Sequence, residues 1–314
     1  MTDPLVIPDS LSCGTVIGGE DRDGVLALAR RIEDSGLDSA WVGDHISFYI
    51  PMLESLTTLA FVAGVTERVR LCTGVYLLPL RHPTTTAKVT STLDLLSGGR
   101  LTLGIGVGGE FPPEFEACGV PVGERGPRTD EGIELLRRLW TEEAVAHDGA
   151  HYSFGKISMA PKPAQANGPA IIVGGRKGPS LRRAGRLGDG YISHLCSAEQ
   201  YATNLQRIRK EAETAGRREA PFETLAFLFT VLHDDYEAAL DLAANMLQTL
   251  YNRPMRDAAK KYCLLGRPED CLEQMQAFAR AGARHFVFST LSDRDVFFES
   301  WQNVIQPGLS QIDF

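Results

Sequence analysis

At 314 residues and 34.3 kDa the chain is long for one ordinary domain, yet it suits an α/β barrel, a fold of about 250 residues before insertions. Hydrophobic residues make up 43% of it and charged residues 23%, the balance of a water-soluble protein with a large core. A formal charge of −8 and a pI near 5.5 argue against a nucleic-acid partner, which would need a basic face.

The opening MTDPLVIPDS has no basic start, and no apolar run approaches the roughly 18 residues that would span a bilayer. The six cysteines, at positions 13, 72, 118, 196, 263 and 271, form no C-x-x-C pair, and several sit in apolar runs where a thiol packs as a small hydrophobe. The expectation is a reduced, cytoplasmic protein without a membrane partner.

Ser12 to Ile17 reads as a short strand ending in Gly18-Gly19. Asp21 and Asp23 are placed to cap a helix in which Val25, Leu26, Leu28, Ala29 and Ile32 recur at helical spacing before Gly36 stops it. A second strand, Leu37 to Val42, ends in Gly43-Asp44-His45, and a helix from about Glu54 to Val65 follows. The third strand runs from Val69 to Leu78 with Thr73-Gly74 inside it. The next helix starts at Pro83 behind His82 and stops at Ser97-Gly98-Gly99. Arg100 to Val107 is then a fourth strand, parallel to the third because a helix separates the two.

After Glu110 the rhythm breaks. Phe111 to Arg125 holds three prolines before position 122 and reads as a loop or small insertion, with helix returning at Thr129 to Trp140. Ala144 to Phe154, with Asp148-Gly149 between short runs, reads as a hairpin. A proline-rich link leads to the fifth strand, Ala170 to Val173. Helix Pro179–Arg186, strand Gly190–Ser193, helix Ala198–Ala215, strand Thr224–Leu232 and helix Tyr236–Leu250 come next. A helical segment near Asp257 to Tyr262, helix Glu269–Ala281, an eighth strand His285–Ser289 and a last helix Val296–Ile305 complete the chain. Eight strands alternating with helices, and no composition break, predict one α/β domain over residues 1–314, a (β/α)8 TIM barrel with insertion loops at its C-terminal face. A doubly wound open sheet is the competing architecture.

In such a barrel the chemistry sits at the carboxyl ends of the strands. Asp44-His45 is the sharpest pair there. The histidine is placed to exchange a proton with a reacting ring, with Asp44 as its partner or as an acceptor for a cofactor; the plainer reading is that Asp44 caps a turn. Glycine in a strand costs stability unless something approaches the backbone closely, so Thr73-Gly74-Val75 and Gly106, Gly108 and Gly109 mark where a flat ring or a phosphate comes near. Gly174-Gly175-Arg176-Lys177, between a strand and a helix start, offers free N–H groups and positive charge to an anion; otherwise it is a turn before a solvated basic face. Glu110 is a candidate acid or base, or else a surface carboxylate. His82 reads as a helix-start residue. No tight H-x-x-x-H spacing supports a metal, and no G-x-S-x-G elbow supports a nucleophile.

Several blocks carry a resemblance: WVGDH from Trp41, RVRLCTGVYLLPLRHPTTTAKVTSTLDLLSGGRLTLGIGVGG from Arg68, EFEACGVPVGERGPRTDEGIELLRRLW from Glu114, PKP from Pro161, and Gly174-Gly175 with GDGY from Gly188. In this order they resemble the luciferase-like monooxygenase superfamily, from about Cys13 to Thr290. The resemblance implies a bacterial-luciferase-like barrel, usually a homodimer, that binds a flavin or the deazaflavin coenzyme F-420 at its top. It also implies a non-prolyl cis peptide at Gly74-Val75 behind the ring.

Asp44-His45 is similar to the pair that the F-420 enzymes place beside the deazaflavin, whereas the flavin monooxygenases more often show Glu-His or Glu-Asn-His. The resemblance therefore implies a coenzyme F-420-dependent oxidoreductase passing hydride between the deazaflavin and a small organic substrate. A reduced-FMN monooxygenase using dioxygen is the alternative, and a flavin-binding protein without catalysis the second. Two departures stand out: the glutamate after the fourth strand falls one residue late, at Glu110, and Ser47-Phe48-Tyr49 stands where the F-420 dehydrogenases have a tryptophan. Phe111, Phe115, Tyr152 and Phe154, in the expected top loops, suggest a partly apolar substrate pocket.

Overall fold

The computed structural model describes residues 3–18 and 21–314. Eight strands carry the core: β1 Ser12–Val16, β2 Ser39–Val42, β3 Arg70–Thr73, β4 Leu101–Gly106, β5 Ala170–Gly174, β6 Gly190–Ser193, β7 Glu223–Leu232 and β8 His285–Thr290. Each pairs in parallel with the next, and β8 pairs with β1 through Phe286 and Cys13, so the sheet closes on itself. The open-sheet alternative is excluded by that last pairing. Gly19 of the expected first strand end lies outside the described residues.

Parallel strands covered on both faces read as unbroken apolar runs rather than alternating ones, and β4 (LTLGIG) is buried at every position. Inside the barrel, Trp41, Cys72, Ile172, Ile192, Leu225 and Val287 form one apolar layer, contributed by six different strands. Below it the barrel floor is polar. Trp41 Nε1 donates to Ser39 Oγ at 2.8 Å, Ser39 Oγ meets His285 Nε2 at 2.7 Å, and Arg70 forks onto Glu223 at 2.8 Å on both oxygens.

The outer helices are α1 Arg22–Asp34, α2 Ser55–Ala63, α3 Pro83–Leu96, α4 Pro112–Ala117, α5 Arg125–Thr141, α6 Gly178–Leu187, α7 Ala198–Thr214, α8 Tyr236–Tyr251, α9 Arg256–Tyr262, α10 Pro268–Arg280 and α11 Arg294–Ser300. Their starts follow local chemistry. Asp21 accepts from Gly24 N at the start of α1, and the ring of His82 accepts from Thr84 N at the start of α3, the helix-start role read from the sequence. None of these helices is long and apolar enough to cross a membrane.

Three expectations change. The stretch Phe111 to Arg125 is not a loop: Pro112 and Pro113 occupy the first turn of α4, where their missing N–H groups cost nothing, and α5 begins at Arg125 rather than Thr129. The third strand is broken after Thr73. Gly74-Val75 is a cis, non-prolyl peptide, as the resemblance implied, and the chain resumes at Tyr76–Leu77 with its pairing to β4 shifted by one residue, a β-bulge. The long link from β7 to β8 also holds a further strand, Leu264–Gly266, on the upper half of β7. With α8 and α9 it builds a second small core around Phe229, Val231, Leu240 and Leu247, which raises one wall above the barrel mouth. The expected hairpin is present as Val145–Asp148 against Ser153–Ile157.

Candidate functional site

The carboxyl ends of the strands open into a cavity of about 470 Å³, within the range of small-molecule sites. Of the residues singled out from sequence, Asp44, His45, Gly74, Val75, Gly106, Gly108, Glu110, Gly174 and Gly175 line it. Thr73, Gly109, Arg176 and Lys177 do not.

His45 stands at the end of β2 with its ring stacked on Phe48, centroids 3.8 Å apart. Its Nδ1 lies 3.0 and 3.1 Å from the two carboxylate oxygens of Glu114, whose side chain is fully buried and also accepts from Ile46 N. A carboxylate only accepts, so the Nδ1 facing Glu114 carries a hydrogen, which leaves Nε2 as the nitrogen not engaged by that carboxylate. The carboxylate bonded to His45 is thus Glu114, not Asp44 or Glu110. Reading residues 111–125 as a loop hid it. The signal was available: Pro112-Pro113 announces a helix start, and an acidic residue in the following turn is favoured by the helix dipole.

Asp44 turns away from His45. Its carboxylate accepts four hydrogen bonds: from Ser55 Oγ at 3.1 Å, Leu77 N at 2.9 Å, and both Arg81 terminal nitrogens at 2.6 and 2.8 Å. Burial weighs against the Arg81 charge, but the Asp44 carboxylate outweighs it and raises the guanidinium above its usual value. Because Leu77 lies two residues past Val75, Asp44 ties the end of β2 to the chain that leaves Gly74-Val75. Arg81 was given no role from sequence, since nothing in RHP shows that its side chain folds back over the strand end.

The strand glycines also have a nearer neighbour than the expected ring. A Cβ on Gly104 would stand 1.9 Å from the Thr73 carbonyl oxygen, and one on Gly106 or Gly174 would stand 2.4 or 2.8 Å from the Val75 side chain. These glycines accommodate the bulge, and the bulge in turn presents Gly74 and Val75 to the cavity. Thr73 is wholly buried, and its Oγ1 donates to the Gly104 carbonyl at 2.8 Å. Gly109 packs against Arg125.

The opposite wall is formed by β6, β7, β8 and the end of α8. His194 Nε2 lies 2.9 Å from the Tyr251 hydroxyl, with the rings of Phe227 and Phe229 5.9 and 5.7 Å away. Burial, and secondarily the Arg176 charge, push His194 down to about 4, so it is neutral at pH 7. Burial, then the Glu110 charge, raise the Tyr251 hydroxyl. Ser193 Oγ and Thr290 Oγ1 are buried in the same wall without a hydrogen-bond partner among the described residues.

Gly174 and Gly175 lead from β5 to α6, Gly175 at φ 135°, while Arg176 and Lys177 are exposed at the rim. None of Phe111, Phe115, Tyr152 and Phe154 lines the cavity. Phe115 fills a separate small core with Leu77 and Leu80, and Phe111 packs edge-on to Tyr49 at 5.0 Å. The apolar lining comes instead from Phe48, Phe227, Phe229 and Leu250. Among the described residues no three His, Cys, Asp or Glu side chains are grouped to hold a metal ion.

Among proteins of known sequence the chain is similar to the F-420-dependent glucose-6-phosphate dehydrogenase of Nakamurella multipartita, 30% identical over 319 residues and covering 90% of this chain and 91% of that protein. Among solved structures it is similar to an F-420-dependent secondary alcohol dehydrogenase in complex with an F-420-acetone adduct, at TM-score 0.84 and 20% identity, covering 95% of this chain and 98% of that one. It is likewise similar to the monooxygenase RslO1 of Streptomyces bottropensis, at TM-score 0.77 and 26% identity, covering 96% and 98%. With the barrel, the bulge and the cavity in place, and with the match to the family running from residue 5 to residue 285, the chain belongs to the luciferase-like monooxygenase family.

Proposed function

We propose that the protein is a coenzyme F-420-dependent oxidoreductase that passes a hydride between the deazaflavin and a small organic substrate. The observation that carries this reading is the His45–Glu114 pair, in which a buried carboxylate holds Nδ1 of an imidazole that lines the same cavity as the Gly74-Val75 bulge. The similarity, along most of the chain, to a relative named for F-420 dependence supports the choice of cofactor. The cavity suits such a group: Gly74 and Val75 offer a flat apolar backing, and Ser193 and Thr290 hold hydroxyls that want partners. When bound, the deazaflavin supplies hydride chemistry.

The chain's own residues do the rest. Gly74 and Val75 would back the ring of the bound cofactor, with Gly106 and Gly108 lining the cavity beside them. Gly174 and Gly175, leading into α6, would hold its phosphate, and Arg176 and Lys177 would add charge from the rim. As a substrate hydroxyl becomes a carbonyl, its proton passes to His45 Nε2, and Glu114 holds Nδ1–H and stabilises the imidazolium that results. The enclosed wall excludes water and fixes the approach of the two reactants. Asp44 acts through Arg81 and Leu77 as a positioning residue, and Glu110 remains at the rim.

A titration of the purified protein with F-420 and with FMN, oxidised and reduced, tests the reading. Binding of the deazaflavin in preference to FMN is expected. Preference for reduced FMN with oxygen-dependent turnover would replace it by the monooxygenase reading, which the 26% identity to RslO1 favours. Tight binding without turnover of any substrate would leave a non-catalytic flavin-binding protein.

The same reading includes a homodimer in the cytoplasm. Val89 and Leu96, one heptad apart on α3, are exposed by 42% and 77%, and all six cysteines are free. Cysteines found oxidised in the protein from its native cells would contradict that compartment.

A further inference from the structure

Three of the residues that line the cavity carry a formal charge: Asp44, Glu110 and Arg294. Two of them are matched. Asp44 is gripped by Arg81, and Glu110 stands with Arg176 close enough that both charges act on His194 and on Tyr251. Arg294, the first residue of α11, has no such match among the described residues. The carboxylate beside it, Asp295, is paired with Arg31, and Asp293 caps the helix by accepting from Asp295 N at 2.7 Å. Burial alone acts on the Arg294 guanidinium, pulling it below its usual value with no carboxylate to offset the cost, and it still carries its charge at any working pH. Its place in the barrel gives that charge a use. The bulge and the glycine turns assigned to the cofactor come from β3, β4 and β5, whereas the seam between β8 and β1 lies across the mouth from them. Arg294 stands over that seam: its Nη2 would lie 2.9 Å from a Cβ on Gly18, at the end of β1. Around it Ile17, Val25, Leu28, Leu53, Phe297 and Phe298 line the cavity with hydrocarbon. An ion pair beside hydrocarbon is stronger than one in open water, and a guanidinium presents two parallel donors that match a carboxylate.

We infer that Arg294 is the specificity-determining residue for a carboxylate on the non-reacting end of the substrate, whose apolar body lies along the β8–β1 side of the cavity. This inference deepens the hydride-transfer reading and rests on it, because it takes the reacting carbon to stand at His45, on the strand next to β1. A phosphate ester such as the glucose 6-phosphate for which a relative is named fits this side less well. One guanidinium leaves half the charge of a phosphate dianion unmatched, and a sugar would press its hydroxyls against hydrocarbon.

The test uses the F-420-loaded protein, with F-420 binding first established by fluorescence titration. Octanoate, octanamide, octyl phosphate and glucose 6-phosphate are then titrated by calorimetry. Octanoate should bind about tenfold or more tightly than octanamide, the ratio expected of one charge-assisted pair. Raising the salt from about 20 mM to about 500 mM should shrink that ratio, a readout on the parent chain that stands even if a variant fails to fold. Octyl phosphate should bind no tighter than octanoate, and glucose 6-phosphate should not displace it. Arg294→Gln should erase the preference while octanamide and F-420 bind as before, and Arg294→Lys should keep part of it. Equal affinity for acid and amide, a preference that survives Arg294→Gln, tighter binding of either phosphate, or no binding of octanoate overturns the inference while the F-420 reading stands. A fall in F-420 affinity in Arg294→Gln assigns the charge to the cofactor and overturns the inference as well. Failure of the parent protein to bind F-420 at all overturns that reading and the inference with it.

Discussion

His45 and Glu114 divide one function between two residues. The imidazole meets the cavity, and the carboxylate, sealed from solvent, decides which nitrogen is free to react. Removing each should therefore leave different signatures. His45→Ala deletes the proton acceptor and is expected to lower turnover by about 10²–10⁴-fold, the usual worth of a positioned acid–base group. Glu114→Gln keeps an oxygen that accepts from Nδ1 but removes the negative charge that stabilises the imidazolium, so a smaller loss, roughly tenfold, is expected. In both variants the affinity for F-420, measured by fluorescence titration, should stay near that of the parent protein. A loss of cofactor affinity as large as the loss of turnover would show that the pair binds rather than reacts.

At the scale of elements, β3 and β4 are shaped by one another. The bulge at Gly74-Val75 pushes the Thr73 carbonyl toward β4, and Gly104 is the only kind of residue that leaves room for it: an added Cβ would meet that oxygen at 1.9 Å. Neither strand can shift without breaking pairing on its other side, so the clash has no cheap relief. Gly104→Ala is expected to destabilise the protein by about 3 kcal/mol or more, at or beyond the upper end of overpacking penalties. Urea unfolding would measure it, and a midpoint equal to that of the parent would refute the argument. Gly119, where nothing lies within 4 Å of an added Cβ, is no matching control despite its space, because its φ of 66° strains any other residue. Gly123 is the suitable one, with open space and no such φ.

For the whole molecule, two properties follow from how the barrel is packed and enclosed. The exposed Val89 and Leu96 on α3 make a patch that a second copy would cover, and sedimentation velocity at micromolar concentration is expected to return a dimer that Leu96→Asp converts to monomer; a parent chain that sediments as a monomer would remove the proposal. The second property is the response to acid. His285, in the barrel floor, and His194, in the cavity wall, are held by burial at about 3 and about 4. The unfolded chain binds protons at these histidines from roughly pH 6.5 downward, before the folded chain does. Their contribution to stability is thus fully present above pH 6.5 and is lost as pH falls from there toward the folded values, at up to about 1.4 kcal/mol per pH unit for each. His285→Gln should flatten the fall in urea midpoint between pH 7 and pH 5, and an unchanged slope would show that the floor histidine is not the cause.

Much of this architecture was legible in the chain by itself. Hydrophobic period, helix stops at glycine and starts at proline act over a few residues, so the eight strands, most helices and the strand ends that carry the site could be read along the sequence. Family resemblance reached further, to the cis peptide at Gly74-Val75. Partnership is another matter. That Asp44 belongs to Arg81, His45 to Glu114 and His194 to Tyr251 joins residues 37, 69 and 57 positions apart, and closing the barrel is what sets them within hydrogen-bond reach. The same closure decided that Val75, lodged over Gly106 and Gly174, is the neighbour those glycines serve. Local sequence determines elements because their forces are local; which side chains meet across the mouth depends on the packing of all eight strands, and only the tertiary structure decided that.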